Sequence, residues 1–165
     1  MFDIKEQKRA ISQLDALGQL ALSCEYSMVI HGYEGLMVLT KGFALPVIAP
    51  EEKIDVPIVG GVMTHTQALP RTDFTHQLTM YETVAGHLTR FHEELAKGRA
   101  INNRPTFSFT VYMGSPEKHT HKWECTHGIL FGIEPPEIDV ENRTGLMMFN
   151  GQIAYHCFGS EKGNI

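Results

Sequence analysis

Apolar residues recur along this chain at two different spacings. Near the start, Ile4, Ile11, Leu14 and Leu17 fall at helical spacing and Gly18 is a natural stop, which predicts a short amphipathic helix. The period then drops to two. In "CEYSMVIHG", Cys24, Tyr26, Met28 and Ile30 share one face of a strand. "GLMVLTKGF" follows after Gly32 and Gly35, so the two runs predict a hairpin. Residues 45–71 break the pattern with Pro46, Pro50, Pro57, Pro70 and the pair Gly60-Gly61. Prolines deny a central sheet its donors, so this stretch reads as a long extended loop with one short edge strand.

Alternation resumes in "DFTHQLTMYE". Phe74, His76, Leu78 and Met80 form one face; Thr75, Gln77, Thr79 and Tyr81 form the other. Next comes the clearest helix, with Val84, Leu88, Phe91 and Leu95 on one side, Arg90, Glu93, Glu94 and Lys97 on the other, and Gly98 past its end. A turn at "NNRP" leads back to β structure, where Phe107, Phe109, Val111 and Met113 share a face. "HTHKWECTHGILFGI" is a long strand with a kink at Gly128. In the closing run, Met147, Phe149, Ile153, Tyr155 and Cys157 point one way, and "GSEKGNI" reads as a mobile tail. The sum is a mainly β fold: an antiparallel β sandwich or barrel with one packed α-helix and a short N-terminal helix. One domain spans 1–165, with a helical extension at 1–20.

The net charge of −5 argues against a protein that grips nucleic-acid phosphates. No apolar run is long enough to span a membrane, and the start lacks a secretory apolar core, which points to a cytoplasmic beginning. Cys24, Cys125 and Cys157 are odd in number and far apart, so no disulfide framework is implied and buried small apolar side chains are expected.

The densest chemistry is "HTHKWECTH". His119, His121, Cys125 and His127 are all odd-numbered and would share one side of a regular strand, and imidazole and thiolate are good zinc ligands. Against a site, residues four apart on a straight strand are too distant to share one ion. The sequence also has no C-x-x-C, no H-E-x-x-H and no telling carboxylate. No metal and no cofactor are expected, and no catalytic residue is assigned.

The order of elements resembles the major tail tube protein of contractile-tailed bacteriophages. The likeness runs from Cys24 to Phe158. It is carried by "EYSMVIHGYEGLMVLTKGFALP", "FTHQLTMYETVAGHLTRFHEEL", "FSFTVYMG" with "HKWECTHGILFGIEPPEIDVEN", and "MMFNGQIAYHCF". The N-terminal helix is a departure from that family. The resemblance implies a subunit that closes six-membered rings with itself. The rings would stack into a hollow tube inside a sheath, between a baseplate and a tail terminator, in a virion tail assembled in the host cytoplasm. DNA would pass through without specific binding. The loop 45–71, with Pro46, Pro50, Glu51, Glu52, Lys53, Asp55 and Pro57, would reach neighbouring subunits or rings. Thr75, Gln77, Thr79, Ser108 and Thr110 would face the lumen or a neighbour.

Three alternatives stand beside this. One is the inner tube of a type VI secretion system or another contractile injection particle. The second is a small cupin-like metalloenzyme using His119 and His121 with Glu124 or Glu134 and His156. The third is a β-rich interaction module that forms no tube.

Overall fold

The computed structural model describes residues 3–98 and 106–165. The expected turn at residues 102–105 lies outside them. Six antiparallel strands form one sheet that curls into a nearly closed barrel. In chain order they are β1 (Tyr26–Ile30), β2 (Thr40–Gly42), β5 (Asp73–Tyr81), β6 (Phe107–Gly114), β7 (His119–Glu134) and β8 (Met148–Lys162). Their spatial order is β1-β6-β7-β8-β5-β2. A separate hairpin, β3 (Lys53–Ile58) and β4 (Val62–Gln67), stands apart. Two helices complete the fold, α1 (Ile4–Leu17) and α2 (His87–Ala96).

The predicted hairpin of β1 with β2 does not form. β1 pairs with β6 and β2 with β5, and a 3₁₀ segment, Glu34–Leu39, links the two strands. Gly32 (φ 87°) sits in a tight turn, with the Tyr33 N–H donating to the Ile30 carbonyl at 3.0 Å, but the turn leads into this bridge across the barrel's gap and not into a paired strand. Leu36 from the bridge is buried in the core.

Alternation places the core as expected on β5 and β6. Leu78, Met80, Phe107, Phe109 and Val111 are buried and meet Ile153, Tyr155 and Cys157 of β8. Helix α2 adds Leu88, Phe91 and Leu95. Val84 falls before the helix and is fully exposed, which corrects its place on the helical stripe. The start of α2 is capped from a distance. The Glu82 carboxylate accepts the N–H groups of Leu88 (3.0 Å) and Thr89 (2.8 Å) and the Thr89 hydroxyl (2.7 Å). Burial alone would raise the Glu82 pKa, but these donors outweigh it and hold the group below the ordinary carboxylate range.

The tail is not loose. β8 runs to Lys162, and Gly163 donates its N–H to the Thr120 carbonyl at 2.7 Å. Asn164 then accepts from His119 N–H at 3.0 Å and donates to the Glu117 carbonyl at 2.7 Å. A side chain at Gly163 would collide with the backbone of His119, so only glycine lets the strands approach this closely.

Two partly buried histidines should make the fold acid-sensitive. His92 lies against Phe149, ring centroids 5.1 Å apart, and its Nε2 has no partner among the described residues. Burial pushes its pKa down, against a weaker opposing pull from Glu82. His76 shares a 2.9 Å hydrogen bond with the Tyr155 hydroxyl, and burial lowers it too. Both resist protonation in the fold more than in the unfolded chain, whose imidazoles take up protons near the ordinary value of 6.5. Their contribution is complete above that value and is lost as the pH falls below it. The melting temperature should therefore drop steadily from about pH 7 to about pH 5, and His92→Gln should flatten the slope. An identical slope in parent and variant would show that His92 takes no part.

Candidate functional site

The histidine strand is not one face. β7 carries register shifts between Trp123 and Cys125 and between Thr126 and Ile129, and β6 opposite it shifts between Met113 and Gly114. The extra residues on β7, between His119 and His121 and between Thr126 and Ile129, reset its alternation; at Trp123/Cys125 the extra residue is on β8. His119 is buried edge-on to Tyr112, ring centroids 4.8 Å apart. His121 lies beside Trp123. Cys125 points into the core. His127 sits at φ 54°, exposed, with its ring 5.9 Å from that of His156. The kink expected at Gly128 is thus made one residue earlier. Among the described residues, no three His, Cys, Asp or Glu side chains are grouped to hold an ion.

The five polar candidates divide into two places. Thr75, Gln77 and Thr79 lie on the outer face of β5, opposite Ala154, Gln152 and Asn150 of β8. Thr79 donates to the Asn150 side-chain oxygen at 3.0 Å. Glu134 joins from β7, and a shallow groove of about 330 Å³ crosses this surface. It is polar and carries one charged side chain among its lining residues. Ser108 and Thr110 are on β6, separated from β5 by β7 and β8. Thr110 is buried by its own chain and shares a 2.7 Å hydrogen bond with His31 Nε2, so it faces neither a lumen nor a neighbour.

Within residues 45–71 the chain is irregular at both ends, but its middle forms a two-stranded arm where one short edge strand was expected. Lys53–Ile58 and Val62–Gln67 pair around Val59, Gly60 and Gly61. Gly60 (φ 93°) and Gly61 (φ 76°) supply the left-handed backbone that this short turn needs. Ala68 N–H bonds the Glu52 carbonyl at 2.9 Å, so the bonded pairs alternate from there and Pro57/Met63 is a non-bonded pair. The N–H that Pro57 lacks would have pointed away from β4. The proline therefore costs no ladder bond and blocks the outer edge of β3.

The arm has two faces. Lys53, Asp55 and His65 share one, with Asp55 Oδ1 3.2 Å from Lys53 Nζ and 2.6 Å from His65 Nδ1. Ile54, Val56, Ile58 and Val62 share the other and are 38–57% exposed. Sequence reading missed this apolar face. Its signal was the alternation in "KIDVPI", hidden by treating Pro57 as a strand breaker. The root is clamped by Arg71, whose guanidinium contacts Glu51 at 2.6 Å and Asp73 at 3.1 Å. Hydrogen bonding to Arg71 holds the Asp73 carboxyl below its usual range. Pro50, Glu51 and Glu52 are exposed, but Pro46 is buried within the chain and cannot reach a neighbour.

A second apolar surface is α1. Ile4, Ile11, Leu14 and Leu17 are all exposed, and no residue of the helix is buried among the described residues. An isolated helix of this length is marginal in water, so tertiary or intermolecular packing has to supply its stability.

No family model and no curated protein matches the sequence. Solved structures do match the fold. A chain of the sheath–tube complex of an extracellular contractile injection system, PVC, in its extended state aligns with a TM-score of 0.66 at 8% identity, covering 92% of this chain and 97% of that one. The tube-terminating cap of the anti-feeding prophage aligns at 0.67 and 8% identity, covering 88% and 93%. The PVC sheath/tube terminator aligns at 0.62 and 8% identity, covering 90% and 99%. The fold is that of contractile injection system tube and terminator proteins. Among the described residues, no helix is long and apolar enough to cross a membrane.

Proposed function

We propose that this chain is a structural, non-enzymatic subunit of the inner tube of a contractile tail. Six copies close a ring, and rings stack into a hollow tube that passes DNA from a phage. The observation that carries this is the shared fold, which covers 92% of this chain and 97% of that one. Two features of the molecule support it. The arm at 53–67 presents an apolar face that the described residues leave 38–57% exposed, as a segment that docks on a neighbouring copy must. The groove over Thr75, Gln77, Asn150 and Gln152 is polar and has no cationic lining, as a lumen that lets a polyanion slide requires. Sheath, baseplate and terminator are the partners this role implies, in a particle assembled in the host cytoplasm.

A second reading is the ring that terminates such a tube in an injection particle. It is favoured by the anti-feeding prophage cap, whose TM-score of 0.67 equals that of the sheath–tube complex chain within 0.01. Negative-stain electron microscopy of the concentrated protein separates the two. Stacked hollow tubes of constant diameter are expected. Single rings that never stack would favour the terminator, and a monomer at every concentration reached would overturn both.

A further inference from the structure

The spacing of the three cysteines gives no sign of pairing, but the strand register does. Cys125 on β7 lies directly opposite Cys157 on β8. Cys157 donates its N–H to the Thr72 carbonyl at 2.8 Å, toward β5. The N–H and C=O of one strand residue point to the same side, so Cys157 turns no ladder group toward β7. The pair is therefore non-hydrogen-bonded, the kind whose Cα atoms stand about 4.5 Å apart with side chains in closest approach. That separation falls inside the roughly 4.4–6.8 Å that a disulfide spans.

Both side chains point inward, 1% and 0% exposed. Each also lies 3.8 Å from a backbone oxygen, Cys125 from Trp123 and Cys157 from Gly159. Register shifts on either side of Cys125 interrupt the regular ladder, leaving room for a small torsional adjustment. Cys24 is exposed and remote in sequence from this pair.

We propose that Cys125 and Cys157 are a dithiol that closes to an internal disulfide, a covalent lock between β7 and β8. With a small-molecule disulfide as oxidant, each cysteine Sγ gives up its proton and one S–S bond forms. The electron pair breaks the oxidant's S–S bond, which leaves as two thiols. Burial raises the Cys125 pKa and so suppresses thiolate, which makes exchange in the closed barrel slow. Closure then belongs to folding, or to moments when β7 and β8 part. The same burial shields the bond once made. The lock does not depend on the tube assignment.

The test uses the full chain carrying Cys24→Ser, which removes the exposed thiol. It is refolded in glutathione buffers of graded redox potential, quenched in acid, unfolded and alkylated. Intact mass should show a species about 2 Da lighter, with no alkylation, rising as the buffer becomes more oxidising. Peptide mapping should join the segments holding Cys125 and Cys157. The bridged form should melt roughly 10 °C higher than the reduced form. A chain carrying Cys125→Ala and Cys157→Ala as well should show no response to the buffer. Folded protein alkylated at both cysteines at every potential, or bearing glutathione without a cross-link, would overturn the proposal.

Discussion

Tubes are expected to disappear when Ile54 and Val56 are both replaced by aspartate, while the subunit keeps its fold. These side chains sit on the apolar face of the β3–β4 arm, Ile54 50% and Val56 38% exposed among the described residues. Exposed substitutions of this kind change subunit stability by no more than about 0.5 kcal/mol, so the melting temperature should hold. Assembly is another matter. If the face docks on a neighbouring copy, each contact must desolvate two unpaired carboxylates, at a cost of several kcal/mol. Every 1.4 kcal/mol is about tenfold in an association constant, so the concentration needed to form tubes should rise at least about 100-fold. Sedimentation beside microscopy reads both halves. A double variant that assembles like the parent would show that the apolar face lies outside the subunit contact. Aspartate at Lys53 or Gln67, on the other face of the arm, should leave assembly far less affected.

How much of this was legible in the sequence depended on whether the partner of each strand mattered. Phe107, Phe109 and Val111 announced their face by period alone, because all three alternate into the core along β6. Leu88, Phe91 and Leu95 did the same at helical spacing. β1 could not be paired from its sequence, since its partner is Phe107–Gly114, about eighty residues on, and Gly32 and Gly35 look like an ordinary turn. The histidine strand defeated a period-two reading because register shifts interrupt it, one of them at His127, a non-glycine residue with positive φ. Pro57 concealed a strand for a different reason. A proline is harmless where its missing N–H faces outward, and nothing local says which way it faces. The C-terminal clasp at Gly163 and Asn164 depends on a turn at residues 115–118, so composition alone made it look like a tail. The candidate site was legible as a polar face at Thr75, Gln77 and Thr79. Thr110 was not distinguishable from them until His31 was seen to cover it.

The largest loss of subunit stability is expected from Phe91→Ala, about 3–5 kcal/mol, which for a chain of this size lowers the melting temperature by about 10 °C. Phe91 is 1% exposed and is one of three residues by which α2 enters the core. Its ring meets Tyr33 edge-on at 4.8 Å and Phe107 at 5.9 Å. Tyr33 precedes the 3₁₀ bridge, and its hydroxyl donates to Glu94 on α2. Burial and that carboxylate push the Tyr33 pKa up to about 12, so it stays a donor throughout the neutral range. Phe91 thus holds together the helix, the bridge and β6, the parts that close the gap between β1 and β2. Removing the ring leaves a cavity that only α2 could collapse into, and Glu82 pins the start of that helix. Phe91→Leu should restore most of the lost stability, because it refills the volume without the aromatic edge contacts. Denaturant unfolding of the two variants decides the matter. A cost below about 1 kcal/mol for the alanine variant would mean that α2 rests on the barrel without sealing it.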